Sequence, residues 1–171
     1  SSHFSSSLVD FALLRVLGCA RSSVEGKPMA TVRMETERYG VVEAPKRLIF
    51  EIPSEHSSAH LAGPYDLEPE LKNGMPQWSR VLDGSAYREE IHSGGRDYQY
   101  WLVMRNYANP LAAADQPGLV KLISGDAHGG ALPHRWAGGW KDITGALCAD
   151  VRFLDDAATA ALETEEAGQG P

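Results

Sequence analysis

Apolar and polar positions along this chain change period once, near the start, and the change separates a helix from a long series of short strands. Residues 8–17 place Leu8, Phe11, Leu14 and Leu17 at helical spacing, with Leu13 and Val16 extending the apolar surface round most of the cylinder. Ser7 is a good N-cap, Asp10 completes a short capping pattern, and Gly18 supplies the stop. Such a helix needs cover on most sides, from its own domain or from a partner. From residue 31 the period becomes two. Thr31–Glu37 alternates apolar and charged positions, and the run from Arg47 to Ile52 is closed by Pro53. Tyr39–Pro45 between them reads as a loop or a third short strand, and Ser54–His60 as a polar linker.

Beyond Gly63 the punctuation is regular. Asn73-Gly74 is a strong type I′ hairpin signal, because both positions tolerate positive φ, and Asp83-Gly84 reads as a second turn of the same kind. Ser93-Gly94-Gly95 is a third turn and Gly125–Gly130 a fourth. The strands between these turns are expected at 65–69, 75–81, 86–91, 98–104 and 119–123, followed by short ones near Trp140 and over Leu147–Phe153. Turns this close together exclude βαβ units. The expected fold is therefore mainly β: an antiparallel meander or small barrel with a short N-terminal helix and an irregular C-terminal tail. The corresponding parts are an N-terminal helix and two strands over 1–57, a tryptophan-anchored module over 58–153, and an acidic, mobile tail over 154–171. Asp155-Asp156 could open a short helix into Ala157–Leu162.

Composition narrows the partners. A formal charge of −7 repels phosphate backbones and no basic stripe offsets it, so nucleic acid is not expected. The longest apolar run is about ten residues and contains Asp10 and Arg15, too short and too charged to span a bilayer, which needs about 20. The same charges spoil it as a secretory signal. Cys19 and Cys148 lack zinc spacing; they read as two free thiols, with one disulfide as the alternative. A chain beginning at Ser1 suits either a trimmed segment or a form whose targeting segment has been removed. An intracellular site, in a plastid or mitochondrial complex, is the expectation attached to the second case.

The order of motifs between residues 58 and 153 carries a resemblance. Gly63 and Tyr65 are followed by Asn73-Gly74-x-Pro76-x-Trp78, Tyr87, Gly94-Gly95 and Trp101. Ser124 with His128-Gly129-Gly130, then Pro133-His134, Trp140 and Asp150-x-Arg152 complete the pattern. This resembles a small β module of unassigned function that recurs, often in many copies, in proteins of unicellular algae. The resemblance implies an all-β fold and a role beside other domains, and implies no reaction. Two stretches depart from it: Arg96–Tyr100, which lengthens the hairpin before Trp101, and the loose span Asn106–Pro117.

Candidate chemistry is thin. Trp78, Trp101 and Trp140 are explained as core, each burying a large apolar area while offering one N–H. Trp136, Tyr98 and Tyr100 are left as a candidate stacking platform for carbohydrate or another small ligand. His56-x-x-x-His60 would pair two imidazoles on a helical face. Asp126, His128 and His134 form the better cluster for a metal, although turn capping explains both histidines. Ser124, Asp126 and His128 are too close together for a catalytic triad, and the chain has no nucleophile elbow and no phosphate loop. Glu89 and Glu90, being adjacent in a strand, face opposite ways.

The leading expectation is a non-catalytic accessory or scaffold subunit that binds other protein subunits of a larger assembly, with no cofactor. Leu8, Phe11, Leu14 and Leu17 are its expected partner contacts. Deleting residues 1–18 should then release the chain from that assembly, seen as loss of co-purification. The alternatives are a carbohydrate- or small-ligand-binding module and a metal-dependent hydrolase built on Asp126, His128 and His134.

Overall fold

The computed structural model describes residues 31–108 and 119–158. The expected helix with Leu8, Phe11, Leu14 and Leu17, the thiol of Cys19, most of the 106–117 span and the tail from residue 159 lie outside the described residues.

Eleven strands make up the described protein. The first two, β1 (Thr31–Thr36) and β2 (Gly40–Pro45), form a separate antiparallel hairpin, so the stretch left open as loop or strand is a strand. The others are β3 (Arg47–Glu51), β4 (Gly63–Leu67), β5 (Trp78–Val81), β6 (Tyr87–Gly94), β7 (Tyr100–Tyr107), β8 (Leu119–Ser124), β9 (Trp140–Asp142), β10 (Leu147–Cys148) and β11 (Arg152–Asp155). They build one nine-stranded antiparallel sheet in the order β10-β9-β8-β7-β6-β5-β4-β3-β11. From β3 to β10 this is a meander; only β11 crosses over, to pair with β3. The fold is mainly β, as the turn spacing implied. Asp155 Oδ1 then accepts the Ala158 N–H at 2.8 Å, capping a helical turn that begins at Asp156.

The sheet curls into a half-barrel that brings β11 at one edge towards β9 near the other. Phe153 of β11 stacks on Phe50 at 4.7 Å between ring centroids and also reaches Trp140 of β9 at 4.9 Å. One face of every strand therefore points into a shared interior. Register carries this face from Leu48 to Tyr65, from Leu67 to Trp78, on to Ile91, Val103 and Leu122, and from Ser124 to Trp140. Trp78 and Trp101 are fully buried at its centre, edge to face at 6.1 Å. Their indole N–H groups donate to the carbonyls of Pro45 at 2.8 Å and Ala131 at 2.7 Å. Each tryptophan thus buries its rings and fastens a connecting segment to the sheet.

Local chemistry explains most turns. Asn73 and Gly74 both take positive φ, 55° and 77°, between Lys72 and Met75, which exchange two backbone hydrogen bonds. At Asp83-Gly84 only the glycine takes positive φ, so this is not a second I′ turn. The third turn also differs from expectation. β6 runs through Ser93 and Gly94, and the reversal is made by Gly95–Gln99, which removes Tyr98 from the strand and leaves Tyr100 at its start. The 54–60 stretch is no free linker: Ser58 is buried, Leu61 just beyond it is fully buried, and the carbonyls of His60 and Ala62 accept the guanidinium of Arg80. Its side chains are polar, but its backbone is committed to a partner that composition does not reveal.

Candidate functional site

Three turns converge at one end of the curled sheet. The tip of the β1–β2 hairpin brings Glu37, Arg38 and Tyr39; the I′ turn brings Asn73, Gly74 and Met75; the 95–99 turn brings Tyr98. Together they line a cleft of about 400 Å³. Arg38 Nη1 donates to the Asp97 carbonyl at 3.0 Å, tying the hairpin tip to the third turn across 59 residues. Asn73 Nδ2 donates to the Ser93 carbonyl at 2.6 Å and anchors the second turn to β6. Met75 is buried, whereas Tyr98 is 54% exposed. The wall thus offers a free aromatic ring, a carboxylate, a guanidinium and an amide around a small apolar floor.

Beneath the cleft lies a hydrogen-bonded chain. His128 Nδ1 accepts the Gly130 N–H at 3.0 Å, so the ring proton sits on Nε2 and is donated to Ser93 Oγ, also at 3.0 Å. Ser93 Oγ in turn donates to the Tyr98 carbonyl. Burial holds His128 below the usual histidine range, and Tyr39 covers it edge-on at 5.6 Å. The ring of Tyr39 also occupies the space where a Cβ on Gly130 would stand, 2.8 Å away, and Gly130 has a φ of 92°. A glycine is required there on both counts.

Backbone strain concentrates around this cleft. Among the described residues four that are not glycine take positive φ: Asn73, Asp97, Tyr98 and Asp150. Asparagine and aspartate tolerate this region; a bulky tyrosine does not, and its cost is about 1–2 kcal/mol. Such strain persists where the surroundings over-determine it. Here the Ser93 hydroxyl on the Tyr98 carbonyl and Arg38 on the Asp97 carbonyl do so.

The other residues singled out from sequence are dispersed. Of the three aromatics proposed as a platform, only Tyr98 lines the cleft; Tyr100 lies against Gly95, and Trp136 is half-buried against the core and Gly138. His128 has both ring nitrogens engaged, and Ser124 Oγ donates to the Asp126 carbonyl at 2.9 Å. His134 is held instead near Asp155, Nε2 to Oδ2 3.9 Å, and burial lowers its proton affinity. His56 and His60 share no helical face, because the only helical turn there is Ala59–Leu61. His56 Nδ1 accepts the Ser58 N–H at 3.0 Å while Nε2 stands 3.3 Å from the Cys148 sulfur. Among the described residues no group of three His, Cys, Asp or Glu side chains is placed to hold a metal, and no helix is long and apolar enough to cross a membrane.

Sequence reasoning missed the hairpin tip and both buried carboxylates. Glu89 is 2% exposed on the interior face, clamped by Arg80 Nε at 2.7 Å and Arg105 Nη2 at 2.5 Å. Glu90, on the opposite face, takes Lys72 Nζ at 2.5 Å and Asn106 Nδ2 at 2.8 Å. Alternation correctly put the pair on opposite faces, yet both faces are covered here. The available signal was the same-face spacing of charge in facing strands, Arg80, Glu89 and Arg105, which becomes readable only once register is known. No family model matches the chain, and neither a curated protein nor a solved structure matches it.

Proposed function

We propose that this chain is a non-catalytic accessory subunit whose cleft between Arg38, Asn73 and Tyr98 seats a segment of another protein. The observation that carries the reading is the strained, exposed Tyr98, held over a cleft by turns that the rest of the fold anchors. Strain of this kind is tolerated where a side chain must be presented rather than buried. The mixed wall of ring, carboxylate, guanidinium and amide suits a peptide, with an aromatic anchor for apolar side chains and charged groups at the rim. A carbohydrate is the second reading, favoured by one specific feature: the exposed Tyr98 ring beside Glu37 and Asn73, a stacking face next to polar groups.

Tyr98→Asn separates structure from use. Asparagine accepts positive φ, so the variant should be more stable by about 1 kcal/mol, read as a rise in the urea midpoint. Peptides selected from a displayed library on the parent chain should bind it at least about tenfold more weakly, since losing an aromatic anchor costs more than 1 kcal/mol. A library that yields no peptide sensitive to Tyr98 or Arg38 overturns the protein-binding reading. A glycan array that responds, and loses its response in Tyr98→Asn, installs the carbohydrate reading in its place.

A further inference from the structure

The β1–β2 hairpin is a sheet of two strands, and among the described residues the outer edge of β1 has no strand beside it. The backbone N–H and C=O groups on that side are a template for another strand. Side chains alternate along it. Val32, Met34 and Thr36 share the face turned towards the body, where Val32 and Met34 with Leu67 and Pro69 line an apolar hollow of about 510 Å³. Arg33 and Glu35 share the other face, and both are exposed. Open edges are commonly blunted by a proline, a bulge or an inward-pointing charge. β1 has none of these, and its register with β2 is unbroken over six residues.

We propose that β1 is an interface for a second copy of this chain, pairing antiparallel with the same strand of that copy about a two-fold axis through Met34 and making a four-stranded sheet. Charge is what commits the edge to a second copy. Two identical antiparallel strands must be centred on a residue, because a centre between residues would set an outward-pointing amide against an inward-pointing one. Centring on Arg33 or on Glu35 places like charges opposite each other. Centring on Met34 places Arg33 opposite Glu35 of the second copy, and by symmetry does so twice. The same centre sets Met34 against Met34 and Val32 against Thr36, so the apolar faces of both copies lie on one side of the enlarged sheet, beside the hollow. Six residues of edge bury less than a standard interface of about 1,600 Å², so the dimer depends on concentration. It does not depend on the reading given to the cleft.

Sedimentation equilibrium of the full chain, from micromolar to millimolar concentration, should show the mass rising from one chain to two. Arg33→Glu and Glu35→Arg each set like charges opposite each other on both sides of the axis, and each should weaken self-association about tenfold or more. Mixed in equal amounts the two variants are complementary and should associate again as a heterodimer, which a loss of folding would not allow. Met34 lies on the axis, and facing residues stand about 4.5–5.5 Å apart at Cα, within disulfide reach. Met34→Cys, in a chain carrying Cys19→Ser and Cys148→Ser, should therefore be converted by oxidised glutathione into a covalent dimer. A parent chain that stays monomeric throughout overturns the proposal; outward β1 amides that are nonetheless protected from hydrogen exchange would give the edge to another segment of the same chain. A dimer whose strength is unchanged by Glu35→Arg also overturns it, by placing the interface elsewhere.

Discussion

Trp101→Ala is expected to remove a large share of the protein's stability. The side chain is fully buried, packs edge-on against Trp78 and within 4.9 Å of the His128 ring, and donates to the Ala131 carbonyl. Removing so large a buried ring costs about 3–5 kcal/mol from lost transfer energy and the residual cavity. Leaving the Ala131 carbonyl unpaired adds about 1–3 kcal/mol if water does not reach it. Total stabilities of domains this size are about 5–15 kcal/mol, so one substitution removes a large share. Trp101→Phe keeps most of the apolar volume and loses the N–H, and should cost clearly less. Urea unfolding followed by far-UV circular dichroism distinguishes the two; a Trp101→Ala midpoint equal to that of the parent would show that this tryptophan does not anchor the interior.

The second large effect concerns Glu89. Burial pushes its carboxyl up, but hydrogen bonds from Arg105 and Arg80, with the charges behind them, outweigh burial and hold it below the usual glutamate range. A depressed folded-state value means that its stabilisation is fully present above the ordinary glutamate range and is lost as pH falls through the lowered value. Glu89→Gln removes that loss and should flatten the acid limb of the stability curve. It also leaves the partly buried Arg80 and Arg105 without their buried counter-charge, at a cost of about 3 kcal/mol or less at neutral pH, because both guanidiniums keep some contact with water. Replacing all three with apolar residues of similar volume should recover most of that cost, because the desolvation penalty of the ions disappears with them. Recovery would not be complete, since Arg80 also binds the carbonyls of His60 and Ala62. A triple variant as unstable as Glu89→Gln would show that those carbonyls, rather than the ion cluster, are what the site requires. The Tyr65 hydroxyl, next to this cluster and 2.9 Å from the Leu61 carbonyl, is kept protonated by burial across the accessible pH range and adds no titration of its own.

The uneven legibility of the sequence has physical causes. Asn73-Gly74 was readable because a type I′ turn needs positive φ at two adjacent residues, and few residue pairs permit it. Tyr98 was misplaced into a strand because a tyrosine is a strong strand former, whereas contacts made by Ser93 and Arg38, with the backbone bonds of the turn, keep it in an unfavourable backbone region. His128 was readable as a turn histidine from its neighbouring glycines, but its Ser93 partner lies 35 residues away. The hairpin tip was overlooked because Glu37-Arg38-Tyr39 has no motif. Its meaning arises from the two distant turns it meets.

By itself, then, the amino-acid order determined the strands, most of the turns and the tryptophan core. Those follow from interactions within a few residues: alternation of apolar positions, φ preferences of glycine and asparagine, and the large area of an indole. The tertiary structure alone decided which strands became neighbours, that β11 returns to β3 and that Phe153 packs on Trp140 across the curled sheet. It also decided the pairings of Tyr98 with Arg38 and Asn73, and of Glu89 with two arginines. Each joins side chains or turns brought together by sheet curvature and register, and neither quantity is encoded by any short segment of the chain.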